Sequence, residues 1–297
     1  MGCGNCSSGG CGTTPEGCKN NGNCGTSGCN KLEVFDWLAG MNRSAGDQCV
    51  EVRFKNTRKE YFLNPDKLSL SVGDVVAVET KPGYDVGMVS LIGELVRLQM
   101  KKNKIDPSQK STPKVLHKAT EEDINMWEEA QFLERETLVK TRQMIRELKL
   151  SMKLSDVEYQ ADKTRATFCY IAEQRIDFRQ LIKILADRFR VRIEMRQIGS
   201  RQEAGRVGGI GSCGRELCCS TWLTDFRTVS TSAARYQQLS INPTKLAGQC
   251  GKLKCCLNYE LDSYMDAVRR FPGSKIKLKT TKGCLLYTSD AADELCR

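Results

Sequence analysis

Two segments of the chain carry the same thiol pattern, Cys213-Gly214-Arg215-Glu216-Leu217-Cys218-Cys219 and Cys250-Gly251-Lys252-Leu253-Lys254-Cys255-Cys256. Each reads Cys-Gly-basic-x-x-Cys-Cys, and 30 residues separate them. Thiolates hold zinc tetrahedrally or bind iron–sulfur clusters, and four are needed in either case. Zinc ligand pairs usually leave roughly two to four residues between them. Adjacent cysteines fit that poorly, because neighbouring side chains of an extended chain point opposite ways. A cubane with four separate corners accepts both if the backbone turns, and Gly214 and Gly251 permit such turns. The pattern therefore predicts an iron–sulfur cluster, a [4Fe–4S] centre first, with zinc as the alternative. Cys255 and Cys256 exceed the four required, as additional metal donors or as small buried hydrophobes. Cys49 and Cys169 sit in strand patterns and are expected in the core.

Other chemistry is thinly represented. Gly209-x-Gly211-x-x-Gly214 fits the dinucleotide fingerprint formally, but no clear strand leads into it and no suitable acidic residue follows at the needed distance. Its glycines are expected to shape the cysteine loop instead. His117 is the single histidine, which excludes His-based zinc sites and Ser-His or Cys-His catalysis. No catalytic set emerges, so the chain reads as a regulatory adaptor and not an enzyme. Positions 175–206 hold nine Lys or Arg against four Asp or Glu. There Arg190, Arg192 and Arg196 are expected on one strand face, as a solvated surface or as a docking surface for RNA or an acidic partner.

The elements that must position these residues form an α+β architecture. Residues 1–30 are a Cys- and Gly-rich tail with almost nothing to build a core, hence disordered unless a metal organises it. Residues 47–98 alternate in the manner of short strands (Val50, Val52 and Phe54; Tyr61-Phe62-Leu63; Leu68, Leu70 and Val72; Val75-Val76-Ala77-Val78), predicting a small antiparallel β-barrel-like domain. Residues 99–117 are Lys-rich with Pro107 and Pro113, a linker. Thr120-Glu121-Glu122-Asp123 looks like a capping box opening a long helix or helical hairpin over 118–155. Its inner face is expected at Ile124, Trp127, Leu138, Ile145 and Leu148. Residues 156–283 then form an α/β domain with the Cys-rich metal-binding loops. In it a strand at 166–171 precedes a helix capped by Asp177, with Leu181, Ile182, Leu185 and Phe189 inward. A second strand follows with Val191, Ile193 and Met195 on one face.

Bulk properties agree with this. The chain has 297 residues, 16 of them cysteine, and a formal charge of +10. No stretch approaches the roughly 20 apolar residues of a membrane span, and the N-terminus lacks the apolar core of a secretory signal. A cytoplasmic protein without membrane insertion is predicted, and clustered cysteines there favour metal over disulfides. The run from Cys284 to Glu294 matches the translation of a transposon-end sequencing adapter, so 284–297 is read as an artefact and the natural sequence is expected to depart near Gly283. That removes Cys284 and Cys296 from the ligand count.

The segments Gly208-Gly209-Ile210-Gly211-Ser212-Cys213-Gly214-Arg215-Glu216-Leu217-Cys218-Cys219 and Ser240 to Glu260, with Arg192-Ile193-Glu194-Met195-Arg196-Gln197-Ile198-Gly199, closely resemble the RicT/YaaT family. These are stage-zero-sporulation regulators with the polymerase-suppressor PSP-one C-terminal domain. The resemblance covers roughly residues 47–283. It implies a protein that joins small helical partner proteins in a complex binding iron–sulfur clusters. Such complexes act with a membrane-anchored RNase Y-type endoribonuclease in mRNA processing. Carried over by position, the ligands would be Cys213, Cys218, Cys219 and Cys250. A zinc-stabilised RNA-binding protein is the rival reading of the same thiols.

Overall fold

The computed structural model describes residues 31–32, 34–35, 37, 49–105, 112–270, 277–280 and 283–286. The Cys-rich segment 1–30 and residues 287–297 lie outside the described residues. The N-terminal region comprises β1 (Cys49–Arg53), β2 (Lys59–Leu63), β3 (Val75–Glu79), β4 (Tyr84–Ile92), α1 (Glu94–Lys102) and β5 (Val115–Lys118). Its strands pair antiparallel in the order β2-β1-β4-β3-β5. Val50, Val52, Phe54, Phe62, Val76, Val78 and Val89 pack into one core. Leu95, Val96 and Met100 of α1 cover Cys49 and Leu91 in another. Every residue of β1 is consequently buried, including Glu51 and Arg53.

The sheet is curled but is not a closed barrel. Leu63 meets Lys114 in one isolated parallel bridge, yet β2 and β5 remain the edges. They are five and four residues long, so they run out before a ladder can form. Residues 68–72 take no strand geometry; Leu70 enters the core, and the Asn64 side-chain amide donates to Leu68 O and accepts from Leu68 N. The range 99–117 contains the end of α1 and most of β5, because Met100 and Val115 find buried positions among the lysines.

A single 27-residue helix, α2 (Glu121–Glu147), follows. Thr120 accepts from Asp123 N while Asp123 accepts from Thr120 N at 2.9 Å, which is the expected capping box. Three strands come next: β6 (Lys153–Tyr159), β7 (Arg165–Ile171) and β8 (Arg192–Gln197). β6 pairs antiparallel with β7, and β7 pairs parallel with β8 across helix α3 (Arg179–Phe189). α2 and α3 bury Ala130, Met144, Ile145, Leu181 and Leu185 against Leu154, Val157 and Phe168 of this sheet. Asp177 accepts from Arg179 N at 3.0 Å at the start of α3. Arg192 and Arg196 are exposed on β8. Arg190 is not on that strand: it ends α3 in the left-handed conformation (φ 54°), a turn that the chain needs to reverse into β8.

The two regions meet through the turn between β1 and β2. Lys55 Nζ lies 2.7 Å from both Glu134 of α2 and Asp156 of β6, and Arg58 pairs with Asp85 at 2.6 Å and Glu158 at 3.0 Å. Beyond β8 the chain turns to short helices: α4 (Ser200–Val207), α5 (Cys218–Thr221), α6 (Thr231–Tyr236), α7 (Pro243–Leu246) and α8 (Cys256–Val268). Ala233, Ala234, Leu246 and Leu257 form their small core. The backbone of β9 (Lys277–Thr280) pairs antiparallel with β10 (Gly283–Leu286). Among the described residues no helix is long and apolar enough to cross a membrane.

Candidate metal centre

The two cysteine segments fold alike, bond for bond. In the first, Ile210 and Glu216 form a bridge. Gly211 N donates to Arg215 O at 2.7 Å, Gly214 N to Gly211 O at 3.0 Å, and Leu217 N to Gly209 O at 3.0 Å. In the second, Ala247 and Leu253 form the bridge. Gly248 N donates to Lys252 O at 2.8 Å, Gly251 N to Gly248 O at 3.0 Å, and Lys254 N to Leu246 O at 3.0 Å. Every partner is displaced by 37 positions, so each loop is a tight hairpin with a cysteine at its tip and two cysteines where a helix starts. Gly214 and Gly251 take φ of 78° and 72°, the left-handed geometry that a side chain disfavours. A β-carbon on Gly211 would stand 3.3 Å from Cys213 Sγ, and one on Gly248 3.7 Å from Cys250 Sγ.

The equivalence extends past the thiols. Trp222 and Tyr259, also 37 apart, meet with ring centroids 4.6 Å apart and their planes tilted by 57°. Cys218 and Cys255 stand at equivalent positions of the two loops, and the Cys255 sulfur helps to raise the Cys218 and Cys219 thiols. The two loops thus face one another across a shared cavity. Gln249 bridges them by donating from Nε2 to Ile210 O at 2.5 Å.

All six cysteines line one cavity of about 210 Å³, together with Arg201, Ala204, Leu217, Ala247 and Leu253. That is far more room than the roughly 10–15 Å³ one water needs, so a polyatomic occupant fits. The donor set is right for a thiolate-bound metal group: Cys213, Cys218, Cys219 and Cys250 all face the cavity, as do Cys255 and Cys256. All six are free thiols, and Cys219 is the most deeply placed. Among the described residues no three or more Cys, His, Asp or Glu side chains draw together as the ligands of a single ion would. Burial pushes the Cys219 thiol up to about 11, the Cys255 and Cys250 sulfurs adding to it. Burial also raises Cys218, Cys255 and Cys256, with the Arg201 charge opposing it at Cys255. Metal coordination removes that proton outright.

Helix α4 carries the first loop. A β-carbon at Gly205 would stand 2.6 Å from Cys219 O, so only glycine allows α4 to approach α5 this closely. Arg201, which sequence reasoning did not single out, links α4 to the second loop: its Nη2 donates to Leu253 O at 2.8 Å. Of the cysteines left out of the site, Cys49 and Cys169 are buried in the strands as expected, and Cys169 Sγ accepts from Arg206 at 3.3 Å. His117 lies on β5 and bonds Asp123 at 2.9 Å, away from the thiols.

Over 236 residues the chain is 39% identical to Stage 0 sporulation protein YaaT of Bacillus subtilis (strain 168), covering 79% of this chain and 82% of that protein. It belongs to the RicT/YaaT family. Two family models locate the shared parts: the PSP1 C-terminal conserved region matches residues 113–198, from the residue before Lys114 to the end of the β8 segment, and the PSP1-like protein, third domain, matches 228–271. The second match contains the Cys250 loop and α8. The chain is also 33% identical over 166 residues to Uncharacterized protein PB7E8.02 of Schizosaccharomyces pombe (strain 972 / ATCC 24843), which is 48% of this chain and 22% of that one. No solved structure matches.

Proposed function

We propose that the chain is an iron–sulfur-binding regulatory adaptor without catalytic activity of its own. Cys213, Cys218, Cys219 and Cys250 would hold the cluster, with Cys255 and Cys256 as further donors. The observation that supports this is that two hairpins of identical bonding bring all six thiols to one cavity. Thiolate–metal bonds, when made, tie the hairpins together with a free energy of about 10–16 kcal/mol in small domains. A whole domain is stable by only about 5–15 kcal/mol. Occupancy would therefore decide whether the short helices α5 to α8 hold their surface. The relative's name attaches stage 0 sporulation to that protein; for this chain we carry over a regulatory role. It would act in the cytoplasm through small helical partner proteins and an RNase Y-type endoribonuclease in mRNA processing.

Anaerobic purification tests the reading directly. An iron–sulfur protein is brown and yields iron and acid-labile sulfide. A metal-free preparation would overturn the proposal. Cys213→Ser and Cys250→Ser should each lower the iron content and expose residues 208–270 to protease; unchanged resistance in both would count against the structural role.

A second reading rests on the hairpins themselves. Each offers one tip cysteine and two helix-start cysteines, six thiols from which the four that a structural zinc takes could be drawn. With Arg192 and Arg196 exposed on β8, the chain would then be a zinc-stabilised RNA-binding protein. That preparation is colourless and holds zinc without sulfide. Its RNA affinity should fall by roughly 0.7 log units per log unit of salt for each phosphate neutralised; a flat salt response removes RNA.

A further inference from the structure

The cavity contains a charge that no described carboxylate pairs with. Arg201 stands in the first turn of α4, lines the cysteine cavity and is only 8% exposed. Its Nη2 donates to Leu253 O at 2.8 Å and its Nη1 to Arg227 O at 3.3 Å. Its Nε–H, also buried, has no hydrogen-bond partner among the described residues. Both Nη bonds end on neutral carbonyls, and among the described residues no carboxylate within ion-pair distance answers the guanidinium. The other charged residues at the cavity differ: Glu216 is exposed and Lys254 half-buried, so water can serve them. A guanidinium cannot lose its proton at any ordinary pH. Burying such a charge without a counter-charge is strongly unfavourable. Apart from the exposed Glu216 carboxylate, the negative charge that the cavity can supply is sulfur, from thiolates that form when metal binds.

We infer that Arg201 is the fixed counter-charge of the metal centre, its unspent Nε–H donating to a sulfur of the group held by the six cysteines. This rests on the proposal that the cavity holds a thiolate-bound metal. The arrangement makes Arg201 a positioning residue with two jobs. Its Nη atoms fasten the Leu253 hairpin to α4, and its charge offsets the thiolates across the gap. Because charge and hydrogen bonds at sulfur set the potential of an iron–sulfur centre, Arg201 should hold that potential up.

The test compares the full chain with Arg201→Lys and Arg201→Gln after anaerobic loading with ferrous iron and sulfide, and separately with zinc alone. Retention of metal against a chelator and the midpoint potential of the iron-loaded protein are the readouts. Outer-shell partners of metal ligands typically change affinity about 10–100-fold, and a loss in that range is expected for Arg201→Gln, with a more negative potential. Arg201→Lys, which keeps the charge but not the fork, should stay closer to wild type on both measures. Equal losses in the two variants would reduce Arg201 to a carbonyl anchor and overturn the inference, as would wild-type retention and potential in both. If Arg201→Gln does not fold, Arg201→Lys decides: a loss as large as that of Cys250→Ser overturns it. Failure of the wild-type chain to take up either metal sinks the underlying proposal instead, so the two failures are distinguishable.

Discussion

Among the residues of the centre, the glycines separate close packing from backbone geometry. Gly205 has no room for a β-carbon, which would stand 2.6 Å from Cys219 O. Gly205→Ala must therefore push α5 and its two cysteines away from α4, at a cost of roughly 1–3 kcal/mol for overpacking. The expected outcome is reduced metal content together with a lower thermal midpoint. Gly251 is the opposite case: its β-carbon would meet nothing within 4 Å, but φ is 72°. Gly251→Ala should cost about 1–2 kcal/mol from left-handed geometry alone, with metal content restored at saturating metal. The glycines after Cys213 and Cys250 were legible as turn residues because glycine there has a local reason. Arg201 was not legible. Nothing local marks an arginine 12 positions before Cys213 as buried, since what surrounds it comes from Arg227 and Leu253.

At the scale of elements, the long helix shows how a correct element can hide its working face. The capping box and the run without Gly or Pro located α2 well. The predicted inner face did less well. Ile145 is buried and Leu138 and Leu148 pack on the core, but the stripe facing β6 is Ala130, Glu134, Thr137, Thr141 and Met144. These positions follow 4-3-4-3 spacing, as a packed helix face must. They are small or polar because the helix lies close on the sheet: Thr137 bonds Tyr159 at 3.0 Å and Glu134 accepts from Tyr159 N at 3.0 Å. Meanwhile Phe132 and Val139 face outward, so counting apolar residues misdirects. Thr141 is fully buried, and its hydroxyl has no partner among the described residues. An unsatisfied buried polar group costs about 1–3 kcal/mol, so Thr141→Val should stabilise the protein by about 1 kcal/mol. A rise in denaturant midpoint at unchanged slope would show it, and a fall would mean that the hydroxyl has a use.

On the scale of the whole molecule, the buried ions between the two sheets lead to the metal centre. Asp156 accepts from Lys55 at 2.7 Å and from Asn56 at 3.0 Å. It also lies 3.7 Å from Arg206, the residue after Gly205 on α4. Asp156 thereby ties the junction to α4, whose Gly205 packs against the Cys219 backbone of α5. The charges facing Glu134 are Lys55, which attracts it, and Glu158, which repels it. Burial outweighs the attraction and raises the Glu134 carboxyl from 4.5 to about 7. An acid whose folded value is raised binds its proton more tightly in the folded state. Its stabilising share is therefore full below pH 4.5 and is lost as pH rises through about 7. Glu134→Gln keeps an acceptor for Tyr159 N and cannot titrate. It should flatten the fall in thermal midpoint between pH 4.5 and 7, while the wild-type chain retains it. Lys55→Met acts in the opposite sense, leaving Glu134 and Asp156 buried without their cation. Breaking such a pair typically costs about 3–5 kcal/mol, and the loss should grow as pH rises and Glu134 ionises. A Lys55→Met chain whose deficit stays constant across that range would show that Asp156, not Glu134, is the group that Lys55 answers.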